Sequence, residues 1–220
     1  MRSPKKLEKP HLKFSTILTM KVTSIKQQVK RASRYSIFLD NKYSFSLSEA
    51  ELIELGLKVG QDLDNKEIEK LNEEVIYSDA KNSCFKLLSY RARSTGEIRD
   101  YLRRKKYENE IIERVVKDLT NKDFLNDEKF AAQWTESRIT NRQASVRQIK
   151  SELRQKKISD SIISEVLNSQ NIDEIEVLKQ LVTKKRTQQK YNDDIKLMQY
   201  LARKGFSYDK ILIALGRRAE

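Results

Sequence analysis

The chain has 220 residues, of which 38% are hydrophobic and 35% charged, and its 45 basic side chains exceed its 32 acidic ones by 13. This apolar content is too high for a disordered chain, and no stretch approaches the roughly 20 apolar residues of a membrane-spanning helix. The single cysteine cannot form an intramolecular disulfide, which is typical of a protein of the reducing cytoplasm. The charge excess predicts a polyanionic partner, either a nucleic acid or an acidic protein surface.

Residues 1–19 are predicted to form a disordered basic arm. The segment contains both prolines of the chain, Pro4 and Pro10, and its only histidine, His11. It has no apolar core or cleavage pattern of a secretory signal, so we interpret it as a solvated tail.

Residues 20–77 are predicted to form a small α+β cap packed on the first repeat. Residues 35–39 and 43–47 alternate apolar and polar side chains across an Asp/Asn-containing turn at 40–42, which indicates a β-hairpin. Residues 20–25 are a candidate third strand.

Two helices are predicted to follow the hairpin. Ser48 with Glu51 is a capping box, and it opens a helix that Gly56 is expected to end. Asp64 with Glu67 opens the next helix. A short helix ending near Tyr90 is then expected to begin the repeats.

Residues 78–220 are predicted to contain three three-helix repeats, at 78–125, 126–171 and 172–220. Six capping or apolar positions of the first repeat recur at offsets of 51 and 99 with the same character. In the order of the three repeats, these positions are Ser94, Ser145 and Asp193; Ile98, Ile149 and Leu197; Leu102, Leu153 and Leu201; Tyr107, Ile158 and Phe206; Ile112, Ile163 and Ile211; Val116, Leu167 and Leu215.

The local signals within the repeats are those of short capped helices. Ser94 with Glu97 and Ser145 with Gln148 are capping boxes, while Asp193 is an N-cap without the reciprocal residue. Ser159 and Ser207 are the N-caps predicted for the third helices of repeats two and three. The first helices of these repeats are expected to begin at residue 126 or 127 and to run from 173 to about 189.

Three runs in the repeats carry a family resemblance: LLSYRARSTGEIRDYLRRKKY, FLNDEKFAAQWTESR and RQIKSELRQKKIS. In this order and spacing they resemble the RecX family, the bacterial modulators of the RecA recombinase, over roughly residues 20–217. The turn before Ser94 departs from the family pattern, since RARS stands where a proline is common. The loop at 120–124 also lacks the usual glycine.

The resemblance implies a mainly α fold, built as a tandem array of helix-turn-helix-like repeats with a small N-terminal β-hairpin/helix cap. It also implies a non-catalytic, DNA-binding monomer that binds RecA nucleoprotein filaments. Such a protein would inhibit the RecA ATPase and strand exchange, and thereby modulate DNA recombination, DNA repair and the SOS response. Contact with single- or double-stranded DNA fits the same reading.

Signals of catalysis are missing from the sequence. His11 lies in the arm, so neither a serine nor Cys84 has a histidine base nearby in the repeats. One cysteine and one histidine do not make a zinc site, and the five glycines form no phosphate-binding loop. We therefore expect no enzyme activity, no cofactor and no metal.

Two further residues have competing interpretations. Cys84 shares a helical face with Ala80, Leu87 and Leu88 and is interpreted as a core residue. Trp134 follows Phe130 by four residues and is interpreted as a core anchor, although a tryptophan can also stack on a nucleic-acid base.

The basic residues of the repeats are the candidates for contact with RecA or DNA. In the second helix of repeat two, Arg147, Lys150 and Arg154 share one face, about 100° from the apolar face. The full set of candidates is Arg91, Arg93, Arg99, Arg103, Arg104, Lys105, Arg138, Arg142, Arg147, Lys150, Arg154, Lys156, Lys157, Lys184, Lys185 and Arg186.

A second function is compatible with three-helix units, namely a helix-turn-helix-type regulator that binds DNA through specific or nonspecific contacts. A recognition helix needs arginine, asparagine or glutamine directed at base edges. The third helices read NEIIERVVKDL, SDSIISEVL and YDKILIAL, which are acidic or apolar. This composition favours the filament-binding interpretation.

Overall fold

The structure is a computed structural model that describes residues 19–29 and 31–217. The predicted basic arm therefore lies outside the described residues, apart from Thr19, which begins the first strand. The described chain divides into two compact units between Asp79 and Ala80. The first unit contains the sheet, and the second contains the helical repeats.

The first unit contains a four-stranded antiparallel sheet with the strand order β3-β2-β1-β4. The predicted hairpin is confirmed as β2 and β3, and its turn places Asp40 and Asn41 at φ of 46° and 65°. The candidate third strand is confirmed as β1, whereas the three-residue β4 was too short to be predicted. The strands are β1 (Thr19–Gln28), β2 (Arg31–Leu39), β3 (Lys42–Ser48) and β4 (Asp62–Asp64).

Apolar side chains of one sheet face, with two helices, form the core of this unit. Val22, Ile37 and Leu47 are almost fully buried there. Helix α1 (Glu49–Glu54) has the predicted capping box at Ser48, and Gly56 follows its C-cap at φ 62°.

Helix α2 (Asn65–Leu88) is where the structure departs from the expected elements. The predicted capping box is present, because Glu67 N–H donates to Asp64 and Asp64 N–H donates to Glu67, each at 2.8 Å. The expected separate short helix before Tyr90 is wrong, since α2 is continuous to Leu88. No glycine or proline interrupts residues 65–88, so the backbone has no reason to break.

Helices α3 to α10 of the second unit form three three-helix repeats together with the end of α2. Each helix start predicted from Ser94 onward is confirmed to within one residue. The helices are α3 (Thr95–Arg104), α4 (Asn109–Asn121), α5 (Asp127–Arg142), α6 (Val146–Gln155), α7 (Asp160–Ser169), α8 (Glu174–Arg186), α9 (Asp194–Arg203) and α10 (Tyr208–Ala214).

The equivalent positions of the repeats occupy equivalent environments. Leu102, Leu153 and Leu201 are each 0% exposed, as are the isoleucines or leucine one helical turn before them. The caps differ: Ser94 and Ser145 are buried, whereas Asp193 is exposed. The two serines are covered by the repeat that follows each of them.

Consecutive repeats meet through their second helices, end to end. At the first junction, where α3 meets the α6–α7 turn, Ser94 Oγ donates to the carbonyl oxygen of Lys156 at 2.6 Å. At the second junction, where α6 meets the α9–α10 turn, Ser145 Oγ donates to the carbonyl oxygen of Lys204 at 2.7 Å. Each serine thus satisfies a C-terminal carbonyl of the next helix while it caps its own.

Two of the three caps predicted at Ser145, Ser159 and Ser207 differ from the prediction. Ser145 accepts from Gln148 N–H, but Gln148 does not return the bond, because its side-chain nitrogen donates to Glu152 at 2.9 Å. Ser159 caps α7 as predicted. Ser207 occupies the N-cap position of α10, but its side chain accepts no capping hydrogen bond.

Cys84 is confirmed as a core residue. Its side chain is 0% exposed, and burial raises the pKa of the thiol to about 11. At neutral pH it is therefore a protonated thiol, which is unreactive as a nucleophile.

Candidate polyanion-binding surface

Several candidate cations are held in ion pairs at the first junction. Lys156 and Arg91 both bond the carboxylate of Glu97, at 2.7 Å and 2.8 Å. Burial alone would raise the pKa of Glu97, but the hydrogen bonds from Arg91 and Lys156 outweigh it and lower the pKa to about 2. Lys157 Nζ bonds Asp100 at 2.5 Å. The pairs of Lys156 and Lys157 join the second repeat to the first, whereas the Arg91 pair lies within the first repeat.

Other candidates pair with carboxylates on neighbouring helices. Arg99 on α3 bonds Glu113 on α4 at 2.9 Å, and this hydrogen bond raises the pKa of the arginine. Arg154 bonds Asp160 at 2.7 Å, with 62% and 71% of the two side chains exposed. At such exposure the pair contributes little to stability, so Arg154 can exchange Asp160 for another anion.

Weaker pairs account for two more candidates. Arg103 lies 3.6 Å from Asp100, and Arg93 lies 4.0 Å from Glu97. Burial and the neighbouring Arg91 lower the pKa of Arg93, whose side chain is only 21% exposed. Arg93 is thus a poor candidate for surface contact.

Arg138 and Trp134 form one structural cluster in repeat two. The Arg138 guanidinium lies 4.0 Å from the Trp134 ring centroid and bonds Glu152 at 2.5 Å. The indole N–H donates to the same carboxylate at 3.0 Å, and the indole ring stacks on Phe130 with 5.8 Å between the ring centroids. Trp134 is therefore the predicted core anchor, and Arg138 is engaged within the repeat.

Basic side chains at the C-terminal end of α8 contact the residues that follow this helix. Arg186 donates to the carbonyl oxygens of Tyr191 and Asn192 and pairs with Asp194. Lys185 Nζ lies 4.9 Å from the Tyr200 ring centroid. Lys105 of repeat one makes a similar cation–π contact with Tyr101, at 6.0 Å.

Five candidates make neither an ion pair nor a cation–π contact with any part of the chain that the structure describes. Four of them are exposed and Lys150 is half-buried. They are distributed over all three repeats: Arg104, Arg142, Arg147, Lys150 and Lys184.

Two of these cations, Arg147 and Lys150, lie in a groove of about 580 Å³ within the repeat unit. Arg154 follows them along α6, and Lys210 of α10 lines the opposite side. Glu174 also lines the groove, but it accepts from Val146 N–H at 2.8 Å and from Lys210 at 2.5 Å. The predicted face of α6 thus opens on a concave, cationic surface rather than on bulk solvent.

The sequence interpretation missed Lys210 and Gly205, which also line this groove. Lys210 is a lone basic residue in an apolar helix, so no charge pattern marks it. Gly205 could have been found from the repeat alignment, because it takes the place of Lys157 in the second repeat. The substitution removes a long side chain at a repeat junction.

Among residues 19–29 and 31–217, no group of three or more histidine, cysteine, aspartate or glutamate side chains is placed to hold a metal ion. No helix within these described ranges combines the length and the apolar character needed to span a bilayer. The cationic groove contains three of the candidate residues, Arg147, Lys150 and Arg154.

The fold and this surface define a tandem three-helix repeat protein with a small antiparallel sheet and exposed cations on its repeats. Residues 20–64 match the regulatory protein RecX N-terminal domain, residues 80–119 the RecX first three-helix domain, and residues 126–167 the second three-helix domain. The chain belongs to the RecX family, as the resemblance in the sequence predicted.

Individual relatives agree with this assignment. The chain is 32% identical over 199 residues to regulatory protein RecX of Bacillus subtilis. This alignment covers 88% of this chain and 75% of the relative. The protein of the same name from Clostridium acetobutylicum is 34% identical, with coverage of 86% and 92%. The Listeria monocytogenes relative is 38% identical over 148 residues, and this match spans only 55% of its length.

Solved structures confirm the predicted fold. A crystal structure of regulatory protein RecX superimposes with a TM-score of 0.70 at 29% identity, covering 90% of this chain and 100% of that one. RecX from Lactobacillus salivarius gives a TM-score of 0.57 at 26% identity, covering 64% and 95%. The mainly helical repeat array with an N-terminal sheet is thus shared with proteins of this family.

Proposed function

We propose that this chain is a non-catalytic cytoplasmic regulator that binds RecA nucleoprotein filaments. Binding would inhibit ATP hydrolysis and strand exchange by RecA, and so modulate recombination and DNA repair. Membership of a family whose curated members are named regulatory proteins supports a regulatory role. The single observation that carries the choice of partner is the set of unpaired cations spread over all three repeats.

A spread of weak contacts suits an extended, repetitive partner. A nucleoprotein filament presents DNA phosphates and acidic protein surface at regular intervals. Several cations on one array gain affinity from effective concentration, because the first contact holds the others near their sites. A monomer of this chain is sufficient for such binding.

The competing function is a helix-turn-helix-type regulator that reads DNA bases. The third helices would have to enter the major groove, yet α4 exposes Glu110 and Glu113, and α7 exposes Asp160 and Glu165. Carboxylates are repelled by the phosphates that flank the groove. The filament-binding proposal is therefore preferred.

The proposal is tested with single-stranded DNA that has first been fully coated with RecA in the presence of ATP. The protein is then added with no naked DNA available, and RecA ATP hydrolysis and strand exchange are measured. We expect both to slow. Inhibition that disappears once the DNA is coated would reduce the protein to a DNA binder and favour the competing function.

Charge-reversal variants connect the effect to the proposed surface. Changing Arg147, Lys150 and Arg154 to glutamate should abolish inhibition while thermal melting remains cooperative. The matched control changes three exposed lysines outside the candidate set to glutamate, Lys66, Lys117 and Lys179. If the control loses inhibition equally, net charge rather than this surface accounts for the effect.

A further inference from the structure

The two repeat junctions are built on the same plan, so they can be compared position by position. In addition to the serine bonds, the first helical N–H of each second helix is held by an acid from the next repeat. Thr95 N–H donates to Asp127, and Val146 N–H donates to Glu174, both at 2.8 Å. Differences between the junctions therefore reflect side chains rather than a different packing of helices.

The junctions differ in which side supplies the bulky residue. At the first junction Gly96 of α3 faces Lys157, and a Cβ on Gly96 would overlap the Cβ of Lys157. At the second junction Arg147 of α6 faces Gly205, where a Cβ would lie 2.7 Å from Ser145 Oγ and 3.4 Å from Arg147 Cβ. Each junction has room for one large side chain. At the first junction this side chain comes from the following repeat, as Lys157, and at the second it comes from the preceding repeat, as Arg147.

This exchange closes the first junction and opens the second. Lys157 lies across the first junction and bonds Asp100. At the second junction Gly205 replaces that lysine, and Ser151 stands at the repeat position of Asp100. Neither the covering side chain nor its carboxylate partner is present there, and the groove of about 580 Å³ lies at this place.

Charge in the groove is strongly unbalanced. Arg147, Lys150, Arg154 and Lys210 line it, whereas Glu174 is its only acidic lining residue among those that the structure describes, and Lys210 and a backbone N–H already engage that carboxylate. Arg154 pairs with Asp160 outside the groove lining, through an exposed contact that another anion can replace. The hydroxyls of Ser151 and Ser207 add hydrogen-bond donors, and Ser207 makes no capping bond. One isolated carboxylate would leave most of this charge unopposed, whereas a chain of anions would not.

We propose that the groove at the second junction binds the phosphodiester backbone of single-stranded nucleic acid. A single strand supplies one charge per nucleotide along its length, which suits cations arranged along α6. A duplex is stiff, with a persistence length of about 50 nm, so it cannot bend into a concave groove as a flexible single strand can. Gly205 contributes to the site, because it places no side chain in the groove. The groove contains Arg147, Lys150 and Arg154 of the surface proposed to bind RecA filaments, so this inference rests on that proposed function; its tests omit RecA, so that the two can fail separately.

The decisive variant exchanges the junction residues without changing net charge. Arg147→Gly with Gly205→Lys gives the second junction the pairing found at the first, where Gly96 faces Lys157 with φ 60°. Binding of a fluorescent oligothymidylate, measured by anisotropy without RecA, should weaken even though the total charge is unaltered. Unchanged affinity in a folded double variant would overturn the proposal.

A second pair of variants decides the question if the exchange prevents folding. Arg147→Gln with Lys150→Gln removes two groove cations, and Lys117→Gln with Lys179→Gln removes two exposed cations elsewhere. Because each phosphate contact with a single strand contributes a slope of about −0.7 in log affinity against log salt, the groove variant should flatten the slope by about 1.4. The control should leave the slope unchanged. Equal flattening in both would mean diffuse attraction and would overturn the proposal.

Competition identifies the class of anion. Unlabelled oligothymidylate should displace the probe from the wild-type protein, while polyglutamate at the same concentration of charges should compete weakly. Polyglutamate that competes equally well would assign the groove to carboxylates of an acidic protein, which contradicts the nucleic-acid proposal.

Discussion

The Glu97 carboxylate makes three interactions: one within its own helix cap, one with the preceding turn and one with the next repeat. Its carboxylate accepts from the backbone N–H of Ser94 at 3.4 Å, completing the capping box of α3. It also holds Arg91 of the preceding turn and Lys156 of the next repeat. One side chain therefore stabilises a helix start and a repeat junction together, and both depend on its ionised form.

The pH dependence of stability should report on this carboxylate. The pKa of Glu97 is about 2 in the folded chain, against an ordinary value of 4.5. A depressed folded pKa means that the stabilisation is present above the ordinary value and is lost as pH falls toward 2. Glu97→Gln should therefore melt lower than wild type at neutral pH, and the difference should shrink between about pH 5 and pH 2.

Thermal melts followed by circular dichroism across this pH range make the measurement. Glu128→Gln is the matched control, since Glu128 lies exposed in the first turn of α5. Its melting temperature should follow that of wild type. A Glu97→Gln variant whose deficit is the same at every pH would contradict the role given to the ionised carboxylate.

Gly96 shows how a helix can be constrained by its neighbour rather than by its own propensity. In an isolated helix, alanine would be favoured over glycine by about 1 kcal/mol. Here a Cβ would overlap the Lys157 Cβ and lie 3.1 Å from the backbone carbonyl oxygen of Lys156. The carbonyl belongs to the end of α6 and cannot move without shifting the repeat.

We therefore expect Gly96→Ala to destabilise the protein in denaturant unfolding, contrary to helix propensity. Lys157→Gly should partly rescue it, because that change removes the Cβ that the alanine would meet. It also relieves a lysine at φ 60°, a conformation that favours glycine. Additive effects of the two substitutions in a double-mutant cycle would show that these residues do not meet.

The second unit behaves as a short linear array, in which each repeat is stabilised by its neighbours. The middle repeat has a junction on each side, whereas Asp193, the cap of the third repeat, is exposed in the part of the chain that the structure describes. Fewer stabilising contacts at one end of an array mean local opening at lower free energy.

Amide hydrogen exchange should reveal this gradient. We expect the slowest exchange in α6 and α7 and faster exchange in α9 and α10, with Ser145→Ala reducing the difference by weakening the second junction. Uniform protection across the two repeats would indicate that the unit unfolds as one cooperative body.

Most of the secondary structure and the repeat plan was predictable because the signals are local. Capping residues act within one helical turn, and apolar spacing at i and i+4 sets the buried face of each helix. The turn at Asp40 and Asn41 needs only two adjacent residues that tolerate positive φ. Such signals can be recognised in the sequence without knowledge of the tertiary structure. The continuity of α2 was missed since its capping box and the expected repeat start were treated as separate elements.

Only the tertiary structure determined which basic residues form ion pairs within the chain and which are available to a partner. Lys156 and Glu97 are 59 residues apart, and their ion pair turns a candidate surface cation into a junction contact. Arg147 and Lys150 remain unpaired among the described residues because Gly205, from the next repeat, leaves the space beside them open. Charge is a property of each residue, but its availability to a partner depends on which distant side chains fold against it.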